Sequence, residues 1–144
     1  MILNRIVKLL LLGLLISCNT NNEIKEIVTY PLPSQLNPSV AARLTERHET
    51  NNIIFYFQPG DYIEYERCEA YVQWAIDYLD ISLPKKIEYF KFKDRNEMEE
   101  ATGIYIGGYA FVNSTAFATY WKWNNHEFFH LLSYLWSNQH AQPL

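Results

Sequence analysis

The stretch Trp123-Asn124-Asn125-His126-Glu127-Phe128-Phe129-His130-Leu131-Leu132 carries the most specific pattern in this chain. Residues four apart share one helix face, so His126 and His130 bring two imidazoles to one ion. Glu127 is turned slightly off that line. It can reach a zinc-activated water without displacing a ligand and take its proton as general base. With four histidines and twelve glutamates in 144 residues, an HExxH pentapeptide arises by chance with a probability of roughly 1%. Leu131, Leu132, Leu135 and Trp136 extend a helical, apolar-rich stretch, which places the motif on a largely buried helix. The competing reading, three side chains merely hydrogen-bonded inside an aromatic core, requires burying all of them without a strong partner.

Upstream of the motif the pattern is that of an α+β domain. Ser39 is positioned to cap a short helix over 40–49, and Ile53-Ile54-Phe55-Tyr56-Phe57 has strong strand preference before the Pro59-Gly60 turn. Asp61 and Glu64 form an acidic capping box. Cys68, Tyr71, Val72, Ala75, Ile76 and Leu79 then recur at helical spacing and predict a helix over 62–80. Alternation in Ile87-Glu88-Tyr89-Phe90-Lys91-Phe92 suggests a half-exposed strand, and an Asp94-to-Glu97 cap opens a short helix that Gly103 closes. Glu97, Glu99 and Glu100 match no loop of alternating oxygen ligands and read as a solvated face. Gly107-Gly108 permits a turn or close backbone approach before the strand-like Tyr109-Ala110-Phe111-Val112.

The N-terminus reads as an address. Arg5 and Lys8 precede the apolar run 9–16, which is too short to span a bilayer, and Leu15-Ile16-Ser17-Cys18 resembles the bacterial lipobox. The resemblance implies removal of residues 1–17 and lipidation of Cys18. Residues 18–39, rich in Asn, Thr, Ser and Pro, then act as a tether to a domain over 40–144. The expected location is the bacterial cell envelope, with the outer membrane or cell surface favoured. Loss of Arg5 and Lys8 moves the formal charge from -4 to -6, so lipid rather than basic charge holds the chain to a membrane. Cys68 is the other cysteine and reads as a small buried apolar residue.

Composition bounds the rest. At 49% hydrophobic, 16% aromatic and 19% charged, the chain suits one globular domain. Its acidity and lack of basic clusters argue against nucleic acid as a partner.

The decapeptide 123–132 resembles the extended signature of zincin metallopeptidases. The order of long helix, strand, short helix, Gly-Gly-led strand and motif helix is similar to the upper subdomain of gluzincins, thermolysin-like and MA-like peptidases, over about residues 50–138. The resemblance implies zinc held by His126 and His130, Glu127 as catalytic base, and a small mixed sheet with a long helix and a buried HExxH helix. It also implies that Tyr109, Ala110, Phe111 and Val112 form the edge strand that binds an extended peptide or protein substrate by β-addition.

The departures from that family are equally specific. A catalytic zinc takes three protein ligands. In the metzincin pattern the glycine and third histidine would fall at Ser133 and Trp136, which excludes that subclass. Gluzincins take a glutamate some twenty residues past the second histidine, and no acidic residue follows Glu127 here. Nor does a downstream tyrosine or histidine stand out as an oxyanion donor. His140, expected beyond a helix ending near Ser137-Asn138, is the later candidate ligand and reads better as a surface residue, as does His48. The expectation is a membrane-anchored zinc peptidase whose chain stops before its third ligand. The alternative is a non-catalytic lipoprotein that binds a partner or ligand through its aromatic-rich domain, and a third possibility is a metal-binding module using His126, His130 and His140 without hydrolysis.

Overall fold

The structure is a computed structural model and describes residues 32–141. Cys18, the signal segment and most of the tether lie outside the described residues. Among those described, the chain forms α1 (Pro38–Ala41), β1 (Glu46–Glu49), β2 (Ile53–Phe57), α2 (Tyr65–Leu79), β3 (Ile87–Lys91), α3 (Arg95–Thr102), β4 (Gly108–Phe111), a 3-10 turn (Val112–Ser114), β5 (Ala116–Thr119) and α4 (Asn125–His140). The fold is α+β with one five-stranded mixed sheet in the order β1-β2-β3-β5-β4. The three inner strands run parallel, and the edge strands β1 and β4 run antiparallel to their neighbours.

The main core lies between one sheet face and helices α2 and α4. Ile53 and Phe55 of β2, Ile87 and Tyr89 of β3, and Phe117 of β5 meet Cys68, Val72 and Ala75 of α2 and Phe128, Leu131, Leu132 and Leu135 of α4. The sequence spacing placed this stripe of α2 correctly. Tyr71, Ile76 and Leu79 flank it half-buried. Alternation along the strands turns Tyr56 and Phe90 to the opposite face, where they are buried and stack at 5.0 Å. Met98 and Ala101 of α3 are buried too.

Several local expectations are corrected. The segment expected as one helix over 40–49 divides. Pro38 sits in the first turn of α1, Asn37 rather than Ser39 is its cap, and Glu46–Glu49 pairs with β2 as an edge strand. A solvated edge strand rich in charge carries no apolar alternation to reveal it. Helix α2 begins at Tyr65, and its N-cap Glu64 makes no side-chain cap bond. The carboxylate of Asp61 is instead drawn to Lys91, 3.0 Å away.

That ion pair accompanies a second correction, because β3 is buried along its whole length. It is the central strand with both faces covered, so its charged residues need partners. Glu88 takes Lys85 at 3.1 Å, and Lys91 holds Asp61 and donates to the carbonyl of Phe92 at 3.1 Å. Asp94 and Gly103 cap α3 as predicted, with Asp94 accepting from the N–H of Glu97. Glu97, however, is no bare solvated acid. Its carboxylate accepts from Gln58 at 2.6 and 2.7 Å and from the N–H of Lys93 at 2.8 Å, while Glu100 pairs with Arg43 at 2.6 Å. Finally, β5 is a buried strand that the sequence reading did not anticipate. The Asn113-Ser114 turn between the apolar runs 109–112 and 116–118 was the available sign of a hairpin.

Candidate functional site

Asn124 builds the site from below. Its Oδ1 accepts the N–H of Glu127 at 3.3 Å and caps α4, while its Nδ2 donates to Thr119 Oγ1 at 3.0 Å. Thr119 in turn donates to the carbonyl of Gly107 at 2.8 Å. One side-chain relay thus ties the start of the motif helix to β5 and to the lead into edge strand β4.

From that cap, His126 and His130 rise on one face of α4, side by side and solvent-facing, with their Nε2 atoms 2.9 Å apart. Glu127 is tucked under β4 beside them and is 6% exposed. Burial raises its pKa above the ordinary carboxylate value. The nearby His126 and His130 and a hydrogen bond from the backbone N–H of Ala110 offset part of that rise. The strand fits closely over it. A Cβ added at Gly108 would lie 2.6 Å from Glu127 Cγ, 2.7 Å from its Oε1 and 2.6 Å from Asn124 Nδ2. The Gly-Gly pair therefore serves close approach, as the sequence allowed.

These groups line a cleft of about 490 Å³ with Gly108, Tyr109, Ala110 and Val112 along one wall. The structure brings together His126, Glu127, His130, Tyr109, Ala110 and Val112. Phe111 is the exception, being 4% exposed and absent from the lining. Val112 lines the cleft from the 3-10 turn rather than from the strand. The motif helix is buried on its Phe128 and Leu131 side, but the two histidines are not. The expectation of a largely buried motif is corrected accordingly.

Tyr134 was missed. One turn beyond His130 on the same face, it lines the cleft, and its hydroxyl donates to Asn113 Oδ1 at 2.6 Å. The spacing 126, 130, 134 was the signal. His140 closes the helix, which continues past Ser137 and Asn138. Its Nδ1 lies 3.0 Å from the carbonyl oxygen of Trp136, and ten residues of helix put it about 15 Å along the axis from His130. It does not fold back to the motif. His48 sits on β1, at the opposite sheet edge from β4.

Two neutral imidazoles this close can share one cation, since nitrogens at 2.0–2.1 Å from tetrahedral zinc stand about 3.3 Å apart. The pair supplies two of the three protein ligands that a catalytic zinc takes. Among the described residues no group of three His, Cys, Asp or Glu side chains converges. No family model, curated protein or solved structure matches the chain.

Proposed function

We propose that this chain is a zincin-like, lipid-anchored peptidase of the bacterial cell envelope, tethered through Cys18 and acting on extended peptides. The observation that carries the reading is the convergence of His126 and His130 beside a buried Glu127, all beneath β4, the outermost strand of the sheet among the described residues. His126 and His130 would hold the zinc. When bound, zinc supplies Lewis-acid polarisation of a carbonyl and acidification of water.

The remaining work falls to the chain's own groups. Glu127 takes a proton at its carboxylate from the attacking water and returns it to the leaving amine. Burial raises the pKa of that carboxylate above its ordinary value and so makes it a stronger base. The N–H of Ala110 and the cap relay through Asn124 fix the position of that carboxylate. Edge strand β4 offers backbone groups to an extended substrate, and β-addition provides affinity without sequence preference. A second reading, metal or partner binding without hydrolysis, draws support from the pair of imidazoles having no third ligand among the described residues.

The two readings separate in one experiment on the full chain. Zinc stoichiometry is measured for the wild type and for Glu127→Gln, His126→Ala and His130→Ala, and a mixed peptide pool is analysed by mass spectrometry. The peptidase reading expects zinc retained in Glu127→Gln with cleavage down by about 10²–10⁴-fold, and both lost in the histidine variants. Cleavage that survives Glu127→Gln refutes the role of that residue. Stoichiometric zinc without cleavage of any peptide establishes the second reading.

A further inference from the structure

The two helices over the main core leave an aromatic seam on their outer side. On α2, Arg67, Tyr71, Trp74 and Tyr78 recur at i, i+4, i+7 and i+11 and so share one stripe. That stripe flanks α4. Arg67 lies 4.7 Å over the ring of Trp123, and Tyr71 meets Trp123 at 5.4 Å and Phe128 at 6.0 Å. On α4, Phe129, Ser133, Trp136 and His140 repeat the same spacing. They stand about 100° round the helix from the row of His126 and His130, on the side of α2. There Gln139 and Ser82 exchange two hydrogen bonds, at 2.9 and 2.7 Å, which tie the ends of the two helices together.

Trp74, Tyr78, Phe129 and Trp136 on these stripes are 47–73% exposed. At about 150–250 Å² per aromatic side chain, they offer about 300–500 Å² of apolar surface, the size of patch that marks an interaction site. Trp74 stacks on Tyr78 at 5.2 Å and 13°, and Trp136 on His140 at 5.5 Å and 23°, so each indole is braced by a neighbour.

The surface around these rings carries little charge. Helix α4 contains no Lys or Arg, and its one carboxylate, Glu127, is buried. Arg67 shares Glu64 with Lys122, at 2.9 and 3.3 Å, and Asp77 and Asp80 stand at the rim. Elsewhere charge is dense, as where Arg43 meets Glu97 and Glu100 of α3 or where Glu49 of β1 meets Lys86.

A neutral face of Trp, Tyr and Phe among Ser, Asn and Gln suits the headgroup level of a bilayer, where amphipathic rings meet an apolar side and a wet one. An acidic chain meets an anionic membrane with least repulsion at such a face. The anchor brings that occupant close. Cys18 lies fourteen residues before Leu32, the first described residue, which is at most about 50 Å of extended chain. An anchored domain therefore meets the lipid surface at high effective concentration. Among the described residues no helix is long and apolar enough to cross a membrane, so the contact is one of lying on the surface.

Resting on the lipid-anchor reading, we propose that the seam between α2 and α4 is a membrane-docking face, seating the domain on phospholipid headgroups through Trp74, Tyr78, Phe129 and Trp136. Docked this way, the domain keeps the row of His126 and His130 more than a quarter-turn of α4 away from the lipid.

The full chain is labelled with 5-fluorotryptophan and placed in phosphatidylcholine bicelles containing a headgroup nitroxide lipid, with single Trp-to-Phe variants to assign the resonances. Intact mass reports separately whether Cys18 is acylated. The Trp74 and Trp136 lines are expected to lose most of their intensity to the nitroxide. Trp121, which stacks on Tyr120 and through it reaches Arg95 of α3, keeps most of its own. Tyr78→Glu, which adds a charge at the most exposed position of the face, should restore the Trp136 line with thermal unfolding unchanged. Uniform broadening of the four tryptophan lines, or none, overturns the docking. So does a doubled mass in sedimentation that Tyr78→Glu abolishes, with the lines untouched by nitroxide, which assigns the face to a second copy. Acylated Cys18 without selective broadening refutes the docking and leaves the anchor intact. Selective broadening of a chain whose Cys18 bears no lipid refutes the anchor and leaves the docking.

Discussion

Gly108→Ala is the sharpest perturbation of this site, because one added methyl group meets both residues that position the motif. Its Cβ would stand 2.6 Å from Glu127 Cγ and from Asn124 Nδ2, where ordinary contact begins at 3.4 Å. The deficit of about 0.8 Å cannot be absorbed by a flexible tip. Glu127 Cγ is near the backbone of α4, and Asn124 is engaged on both sides, by Thr119 and by the N–H of Glu127. Either β4 lifts from α4 or the cap breaks. Overpacking of this kind costs about 1–3 kcal/mol, and loss of an Asn cap about 1 kcal/mol.

A cost of about 1–3 kcal/mol by either route corresponds to a Tm lower by roughly 4–12 °C for a domain of this size. Urea and thermal unfolding of the full chain, followed by circular dichroism, measure it directly. Glu127→Ala supplies an internal control, since it removes two of the three clashing atoms. The penalty of Gly108→Ala should fall by about half in that background, a coupling that two distant sites would not show. A Tm within about 2 °C of wild type, or a penalty unchanged in the double variant, would refute the close packing of β4 on Glu127 and with it the positioning argument.

Two further outcomes follow from buried titratable groups. Because burial raises the pKa of Glu127, its contribution to stability is full below the ordinary carboxylate value of 4.5 and is lost as pH rises through the higher folded value. Metal-free Glu127→Gln should therefore unfold at a higher temperature than wild type at pH 7, with the difference closing as pH falls below 4.5; a variant less stable than wild type at pH 7 contradicts this. The Cys68 thiol is pushed up to about 12, chiefly by burial, from an ordinary value of 9.0. In a Cys18→Ser background it should resist iodoacetamide until the chain unfolds. Above pH 9 the wild type should lose up to about 1.4 kcal/mol of stability per pH unit that Cys68→Ala retains.

Local pattern in the sequence determined a good deal. The 3.6-residue spacing from Cys68 to Leu79 marked the core face of α2, Asp94 and Gly103 marked the ends of α3, and the four-residue spacing of His126 and His130 placed two imidazoles on one turn. Each of these rests on interactions within one element, so neighbouring residues suffice to reveal it. What pattern could not supply was the order of strands. Whether β3 is half-exposed or central depends on what covers its faces; Glu88 finds a local partner in Lys85, but Lys91 is tolerated because Asp61 comes from thirty residues earlier in the chain.

The same holds at the site. Tyr109 to Val112 read as a strand from composition, but only its place at the end of the order β1-β2-β3-β5-β4 leaves one edge without a partner strand among the described residues, beside Glu127. Tyr134 follows the four-residue spacing of His126 and His130, whereas Trp121 reaches the motif from the segment after β5, with no recognisable spacing to it in sequence alone. Periodicity assigns a residue to a face. Which faces meet, and which groups are left open between them, is decided when non-local pairing assembles the sheet.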